Sequence, residues 1–514
     1  MNLFTRAKFH KYVYLAGLLT IAIALPLSLF AMTVGITTLF INSILEWNWK
    51  EKWESIKGNR TLLWLMSFPL LLGIWLIHSD HLQTGLQSLL LKLPLLIIPF
   101  VIATTNPLKK KEIHLILLAF IGSLVVTTSI SVYFLWNTPI HDIREISRFI
   151  SHIRFSLNIV MGIVIILFLI RKQAFNSRIF NGLLIITAIW LTAYLFISQT
   201  LTGIAILLIL GIIFFTSYLF EKQKNKFLIW GFFASLVLFF VYVGVISFNY
   251  FDIKKEGGGY ASHTRFGNPY HHDTLSIVEN GSRIGVNICE IELIPTWEMR
   301  SKLPYDTVKD GLIRYLNSKG LTKDREGVLA LTEKDLQNIE MGYANIAYTE
   351  KFGLKRSLYP TFFSISLYQK YGILHQSSLL ERVELWRNSW LVIREHPWFG
   401  VGLGDHKKVL DHQLEQSHSQ ITKKEKGCHS QFLTIWITGG IVLLTLFVLY
   451  LAAPFFSSRK RSLLYFLFFI LIFMSMLTED TIDTHAGVTF FAFFNSFILF
   501  VIEPILIHNK KGDF

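Results

Sequence analysis

The stretch IHLILLAFIGSLVVTTSISVYFLW, Ile113–Trp136, decides the fold. It carries no Asp, Glu, Lys or Arg, it follows the cluster Lys109-Lys110-Lys111, and it exceeds the roughly 20 apolar residues that a helix needs to cross a bilayer. Outward from it, similar runs bounded by charge recur at 12–26, 29–45, 61–77, 86–104, 157–170, 180–198, 202–220, 227–249, 430–455, 462–478 and 486–506. Pro26 interrupts the first two and favours a short hairpin between them. Of the 514 residues, 52% are hydrophobic and only 16% charged, against about a quarter in soluble proteins. Mean hydropathy is +0.46. An ordinary cytosolic enzyme is excluded, and the expectation is an all-α polytopic membrane protein with about twelve transmembrane helices.

The net charge of +14 raises nucleic acid as a partner until its placement is read. With a cytoplasmic N-terminus, the inside segments hold Arg6, Lys8, Lys11, Lys50, Lys52, Lys57, Arg60, Lys109, Lys110 and Lys111. They go on to Arg171, Lys172, Arg178, Lys222, Lys224, Lys226, Arg459, Lys460, Arg461, Lys510 and Lys511. The short outer loops hold only Arg144, Arg148 and Arg154, a positive-inside pattern that puts both termini in the cytoplasm. The remaining outer segment, 251–428, has 24 basic and 22 acidic residues, so the excess belongs to inner loops and nucleic acid loses its support. The N-terminus looks like a secretory signal, yet no small-residue cleavage site follows and the run continues past Pro26, which makes it an uncleaved first span.

Three regions follow: an N-terminal membrane region over 1–250 with about nine spans, a large outer loop over 251–428, and a C-terminal membrane region over 429–514 with about three. In the loop, 274–293 alternates around Asn280-Gly281, the signal of a type I′ hairpin; the same Asn280-Gly281-Ser282 triplet as a glycosylation acceptor is the weaker reading. A helix is expected over 306–319, capped by Asp306 or Thr307, with Leu312, Ile313 and Leu316 inward and Gly320 as its stop. Thr332 and Asp335 begin a further short helix, and 256–358 reads as a small α+β insert. From 376 to 395, Leu379, Val383, Trp386 and Trp390 recur at helical spacing, an amphipathic helix resting at the membrane surface and ended by Pro397. Gly400, Gly402 and Gly404 form a corner, for which a tight turn outweighs phosphate binding. Cys289 and Cys428 are both outside, where a disulfide is permitted and two free thiols are nearly as well supported.

Several side chains near the outer face can carry chemistry. His141, Arg144, Arg148 and His152 would share one face of a short helix, a stripe suited to a diphosphate because guanidinium binds phosphate oxygens in pairs. Arg154 stands at the mouth of the sixth span. His429 opens the tenth, where a neutral imidazole can take or orient a hydroxyl proton; a Cys428–His429 dyad is weaker because adjacent helical side chains diverge. Glu479, Asp480 and Asp483, near His485, read as a charged loop tip ahead of a cation site. Lys92 inside the fourth span is either functional or snorkelling.

Arg382, Trp386, HPWFGVGLGDH (His396–His406), His429-Ser430-Gln431-Phe432-Leu433 and Gly439-Gly440-Ile441 together resemble the O-antigen ligase and polymerase superfamily of membrane glycosyltransferases. SHIRFS (Ser151–Ser156) and LIRYLNSKGLTKD (Leu312–Asp324) look like a subgroup with an enlarged outer loop. The resemblance implies a GT-C-like, all-helical enzyme of the bacterial inner membrane that takes a glycan from undecaprenyl diphosphate at the periplasmic face, with no metal and no cofactor. It implies Arg382 at the diphosphate and His429 near the acceptor hydroxyl as catalytic residues; beside them, Arg148, His152, Arg154, Trp386, Arg387 and His396 are the residues expected to bind diphosphate or glycan. The implied acceptor is a lipid A-core for a ligase and another lipid-linked repeat for a polymerase, with a protein-directed oligosaccharyltransferase a third reading. Two positions depart from the pattern: Ser430 stands where Asn is common, and Leu201 where many relatives carry Arg. A lipid-linked glycan transporter is the reading from another class; the absence of an internal repeat in the sequence and the scarcity of intramembrane charge argue against it.

Overall fold

A computed structural model describes residues 3–138, 143–221, 226–253, 260–350, 354–374, 377–421, 426–457 and 461–508. His141, Lys222, Lys224, Arg459, Lys460, Lys510 and Lys511 lie outside the described residues. The chain forms two compact units, Met1–Lys222 with Leu385–Phe514, and Gln223–Glu384.

The first unit begins with α1 Leu3–Ala24, α2 Leu29–Leu45, α3 Trp49–Gly58, α4 Arg60–Ile77, α5 Leu82–Leu91, α6 Pro94–Thr104, α7 Lys110–Asn137, α8 His152–Arg171, α9 Arg178–Ile197 and α10 Leu201–Glu221. The second unit contains α11 Lys226–Phe251, α12 Glu290–Arg300, α13 Tyr305–Ser318, α14 Arg325–Leu329, α15 Glu333–Glu340 and α16 Leu354–Tyr371. Helix α17, Ser378–Glu395, crosses the unit boundary, and the first unit closes with α18 His406–Gln416, α19 Gln431–Ser457, α20 Leu463–Thr478, α21 His485–Phe497 and α22 Glu503–His508. Each of the twelve apolar runs falls on helix. Among the described residues eight helical spans meet the length and hydropathy of a membrane crossing, and α2 and α3 meet them together but are bent by 111° at the break between them. The chain is an all-α polytopic membrane protein.

Pro26 separates α1 from α2 as the sequence implies, and Ser28 Oγ accepts the Ala31 N–H to start α2. The centre of the first unit is α21, in which every residue from Ala486 to Phe497 is buried. Its phenylalanines explain why: Phe490, Phe491 and Phe494 pack against Phe468 of α20 at ring separations of 6.2–6.4 Å. Between membrane helices, such close van der Waals packing replaces the hydrophobic drive.

Two breaks shape one end of this unit. The fourth run divides at Lys92-Leu93 into α5 and α6. Helix α19 kinks at Gly439 and Gly440, where Gly440 takes φ +64°. The corner 397–404 fills that kink: Val401 and Gly402 N–H donate to the carbonyls of Ile437 and Thr438 at 2.9 Å, and Ile441 N–H donates to the Pro397 carbonyl at 2.9 Å. A Cβ on Gly440 would stand 2.1 Å from the Trp398 carbonyl carbon. On its other side the corner reaches the end of α4, where Gly402, at φ +103°, leaves no room for a Cβ beside Ser79 Oγ at 2.7 Å. The glycines are therefore backbone joinery between α4 and α19, the tight-turn reading.

In the second unit, Asn280 and Gly281 both have positive φ, +56° and +78°, in a type I′ turn between strands Val278–Glu279 and Ser282–Arg283. The strands stop there. The alternation read through residue 293 gives way to α12, in which Leu293, Thr296 and Trp297 face inward at helical spacing. Helix α13 starts one residue earlier than the sequence suggests, with Pro304 in place of Asp306 or Thr307 at its cap, and buries Leu312, Ile313 and Leu316. Gly320 follows at φ +70°. The Thr332–Asp335 capping box opens α15. Cys289 and Cys428 are each a buried free thiol.

Candidate active site

The residues that carry chemistry in the first unit meet where α8, the start of α19 and the 479–484 loop come together. Arg154, in the first turn of α8, donates from Nη1 to Glu479 Oε2 at 2.8 Å and from Nη2 to the Asp480 carbonyl at 3.0 Å. His429 presents Nδ1 to the same Glu479 Oε2 at 3.5 Å. One buried carboxylate thus faces both a guanidinium and an imidazole.

His429 is two residues ahead of α19, with φ +50°, a conformation uncommon outside glycine and often met where function over-determines the backbone. Two contacts hold it there, and a third fixes the Asp480 carboxylate that makes one of them. Its N–H donates to Asp480 Oδ2 at 3.0 Å, Asp480 Oδ1 accepts from Thr434 Oγ1 at 2.6 Å, and the His429 carbonyl accepts from Trp386 Nε1 at 3.3 Å. Burial together with neighbouring Asp483 raises the Asp480 carboxyl above the usual range. Nδ1 is buried, and among the described residues it lacks a hydrogen bond, while the side chain as a whole is 31% exposed. Catalytic hydrogen bonds in empty sites are often long and tighten with substrate.

Behind this layer Asp483 pairs with Lys92 and accepts from Gln431 Nε2 at 2.8 Å, while Gln431 Oε1 accepts the Ile482 N–H at 2.8 Å. Burial raises the Asp483 carboxyl, but Lys92 and His406 outweigh it and bring it down to about 2. Lys92 is only 2% exposed, so it does not snorkel; its charge is answered inside the protein at the α5–α6 break. The acidic loop is not a solvated tip either. Its carboxylates go to Arg154, His429, Thr434, Lys92 and Gln431, and His485 turns to Thr33 Oγ1 at 3.2 Å. His406 is buried, which lowers its imidazole to about 4. Burial also pushes the Cys428 thiol up to about 12, which removes the thiolate that a Cys–His dyad needs.

The structure separates other candidates from this network. The stripe expected over 141–152 does not form: a 3-10 turn covers only Ile143–Ile146 before α8 begins at His152. Arg148 is exposed and lies 3.9 Å over the Phe134 ring. His152 Nδ1 is 3.0 Å from Ser147 Oγ. On α17, Leu385, Asn388, Ser389, Val392 and Ile393 are buried, while Arg387 and Trp390 are exposed and Trp386 is half-buried beside His429. Thus the stripe of Leu379, Val383 and Trp390 faces outward from α17. His396 is exposed at the end of that helix. Arg382 lies one turn before Trp386, in the portion of α17 that belongs to the second unit. Glu479 and Asp480, as partners of His429 and Arg154, are what sequence reasoning missed; the signal was three carboxylates between two apolar spans, where each buried charge needs a partner.

Residues 352–448 match the family model described as O-Antigen ligase. No curated protein matches the chain. The matched segment holds Arg382, Trp386, the glycine corner, His429 and the α19 kink, the residues on which the resemblance rests. The match supports, in general terms, a glycosyltransferase-like activity of the O-antigen ligase and polymerase type.

Proposed function

We propose that the protein is a ligase that moves a glycan from undecaprenyl diphosphate to a lipid A-core acceptor at the periplasmic face of the inner membrane. The observation that carries this reading is the placement of His429, within the matched segment, with Nδ1 against a buried glutamate and its side chain partly exposed. The acceptor hydroxyl gives its proton to Nε2 as its oxygen attacks the anomeric carbon. The bond from that carbon to the diphosphate oxygen breaks, and the electron pair leaves with the diphosphate. Glu479 stabilises the imidazolium that forms, and Asp480 and Trp386 fix the backbone from which the ring projects.

Arginine, without a metal, neutralises the leaving group in this reading. Arg382 takes that role from the resemblance, with Arg387 on the same helix and Arg148 as further cations. Arg154 orients Glu479, because its Nη1 and Nη2 are both spent on the 479–480 backbone and carboxylate. Trp386 and His396 contribute surface to the glycan.

The test is the surface-polysaccharide profile of a deletion strain complemented with wild type or His429→Ala. Full-length chains stranded on undecaprenyl diphosphate over a bare core, uncorrected by His429→Ala, are the expected result. A core capped by a single repeat unit would instead mean a polymerase. Normal transfer by His429→Ala would remove the role given to that residue.

A further inference from the structure

The other end of α8 holds a second site. Seventeen residues separate Arg154 from Arg171 on this helix, roughly 26 Å of helix, so Arg171 stands at the opposite membrane surface. A cavity of about 280 Å³ opens there between the ends of α8, α10, α20 and α22. We infer that this cavity binds one anionic phospholipid of the leaflet opposite the Arg154–His429 network.

Three cations and one carboxylate line it: Arg171, Lys172, Arg461 and Glu503. Glu503 is committed to the fold. Its Oε2 pairs with Arg461, and its Oε1 accepts the Ser462 N–H at 2.9 Å and the Ser462 hydroxyl at 3.1 Å, closing the first turn of α20. Arg461 also donates from Nε to the Pro454 carbonyl at 2.7 Å. Arg171 is held in place by Ser217 Oγ at 3.3 Å and by the Phe214 ring, 5.3 Å away. The lining set of three cations and one carboxylate therefore keeps a net positive charge, with the carboxylate already paired to Arg461 and Ser462. Apart from Ser462 its remaining walls are apolar, with Phe168, Leu467 and Leu506 among them. A charged mouth above an apolar wall, at the end of a membrane helix, matches a phosphodiester headgroup followed by acyl chain; basic pockets between membrane helices bind anionic headgroups on this physical basis. The volume suits a headgroup and the first methylenes. Arg171, Lys172 and Arg461 also belong to the segments that the charge asymmetry places inside.

The experiment is a lipid titration of the delipidated full chain in detergent, read by thermal midpoint and by lipid retention in native mass spectrometry. Phosphatidylglycerol is expected to be retained as a single molecule and to half-saturate at least about tenfold below phosphatidylcholine, and Lys172→Gln to weaken it about fivefold, the value of one cation near a lipid surface. Leu506→Trp, which fills the apolar wall without touching a charge, should abolish retention while leaving the lipid-free midpoint unchanged. Lys57→Gln, an equal charge loss away from the cavity, should leave binding as in wild type. Equal binding of the two lipids, or unchanged phosphatidylglycerol binding in both Lys172→Gln and Leu506→Trp, would overturn the inference. Displacement of the lipid by millimolar inorganic phosphate would also overturn it, in favour of a free-anion site.

Discussion

In the proposed mechanism one carboxylate performs two jobs, and Glu479→Gln separates them. Glutamine keeps the shape and one oxygen, but removes the charge that faces His429 Nδ1 at 3.5 Å and Arg154 Nη1 at 2.8 Å. At 3.5 Å and an effective dielectric of about 20, a full charge pair is worth about 5 kcal/mol. Arg154 sits closer to the same oxygen and cancels part of this field, so roughly half remains for a forming imidazolium. That is about 2–3 kcal/mol, or roughly a 30- to 150-fold fall in turnover. KM should move little, because the term applies only as the imidazole takes up its proton. Separately, Arg154 is 12% exposed, and leaving it without its carboxylate should cost about 3 kcal/mol of stability, the low end for a broken buried pair. Transfer by purified protein from a lipid-linked donor measures the first quantity, and a thermal midpoint in detergent measures the second. Arg154→Met with Glu479→Gln should regain stability without regaining turnover. Turnover within threefold of wild type in Glu479→Gln, or its restoration in the double variant, would refute the assignment of Glu479 to His429.

Gly440→Ala should cost about 3 kcal/mol or more, because a Cβ would strike the Trp398 carbonyl from a left-handed backbone; a normal thermal midpoint would mean that the corner does not wedge the kink. Cys428→Ser should leave transfer within threefold of wild type, since the thiol is pushed up to about 12 and has no thiolate to offer; loss of transfer with a normal midpoint would return the thiol to the mechanism. His406, lowered to about 4 by burial, titrates near 6.5 once unfolded. The unfolded chain takes up its proton first, so stability falls as pH drops from 6.5 toward 4 and this group adds nothing further below. His406→Gln should flatten the thermal midpoint across that window, and an unchanged slope would show that the acid sensitivity comes from other groups.

The membrane fold was legible because its signal is one-dimensional. An apolar run long enough to span, ended by charge, needs no knowledge of its neighbours, and all twelve runs lie on helix. The same holds for Asn280-Gly281, for the Thr332 box and for Gly320, where the residues themselves dictate backbone angles. The misreadings occurred where two periodicities compete. Residues 288–293 alternate and also place Leu293 and Trp297 one turn apart, and tertiary burial of Trp297 decides for helix. The stripe from His141 to His152 assumed a helix that the chain interrupts after Ile146.

The candidate site was half legible for a different reason. His429 and Arg154 stand out locally, as a His at the start of a span and an Arg at the mouth of one, but their relation passes through Glu479, hundreds of residues from Arg154 in sequence. No periodicity reports such a pairing. What the sequence does contain is an excess: Glu479, Asp480 and Asp483 between α20 and α21, and Lys92 inside a span, charges that would be prohibitively costly alone. Each finds its partner on a different helix, Glu479 on α8, Asp480 at the start of α19 and Asp483 at the α5–α6 break. A loop anchored this way has one position only when those helices are packed, so the geometry at His429 depends on the assembly of the whole bundle end. The loop therefore ties the chemistry to the fold, and substitutions at Lys92 should reach His429 through Asp483 and Gln431 without touching any substrate.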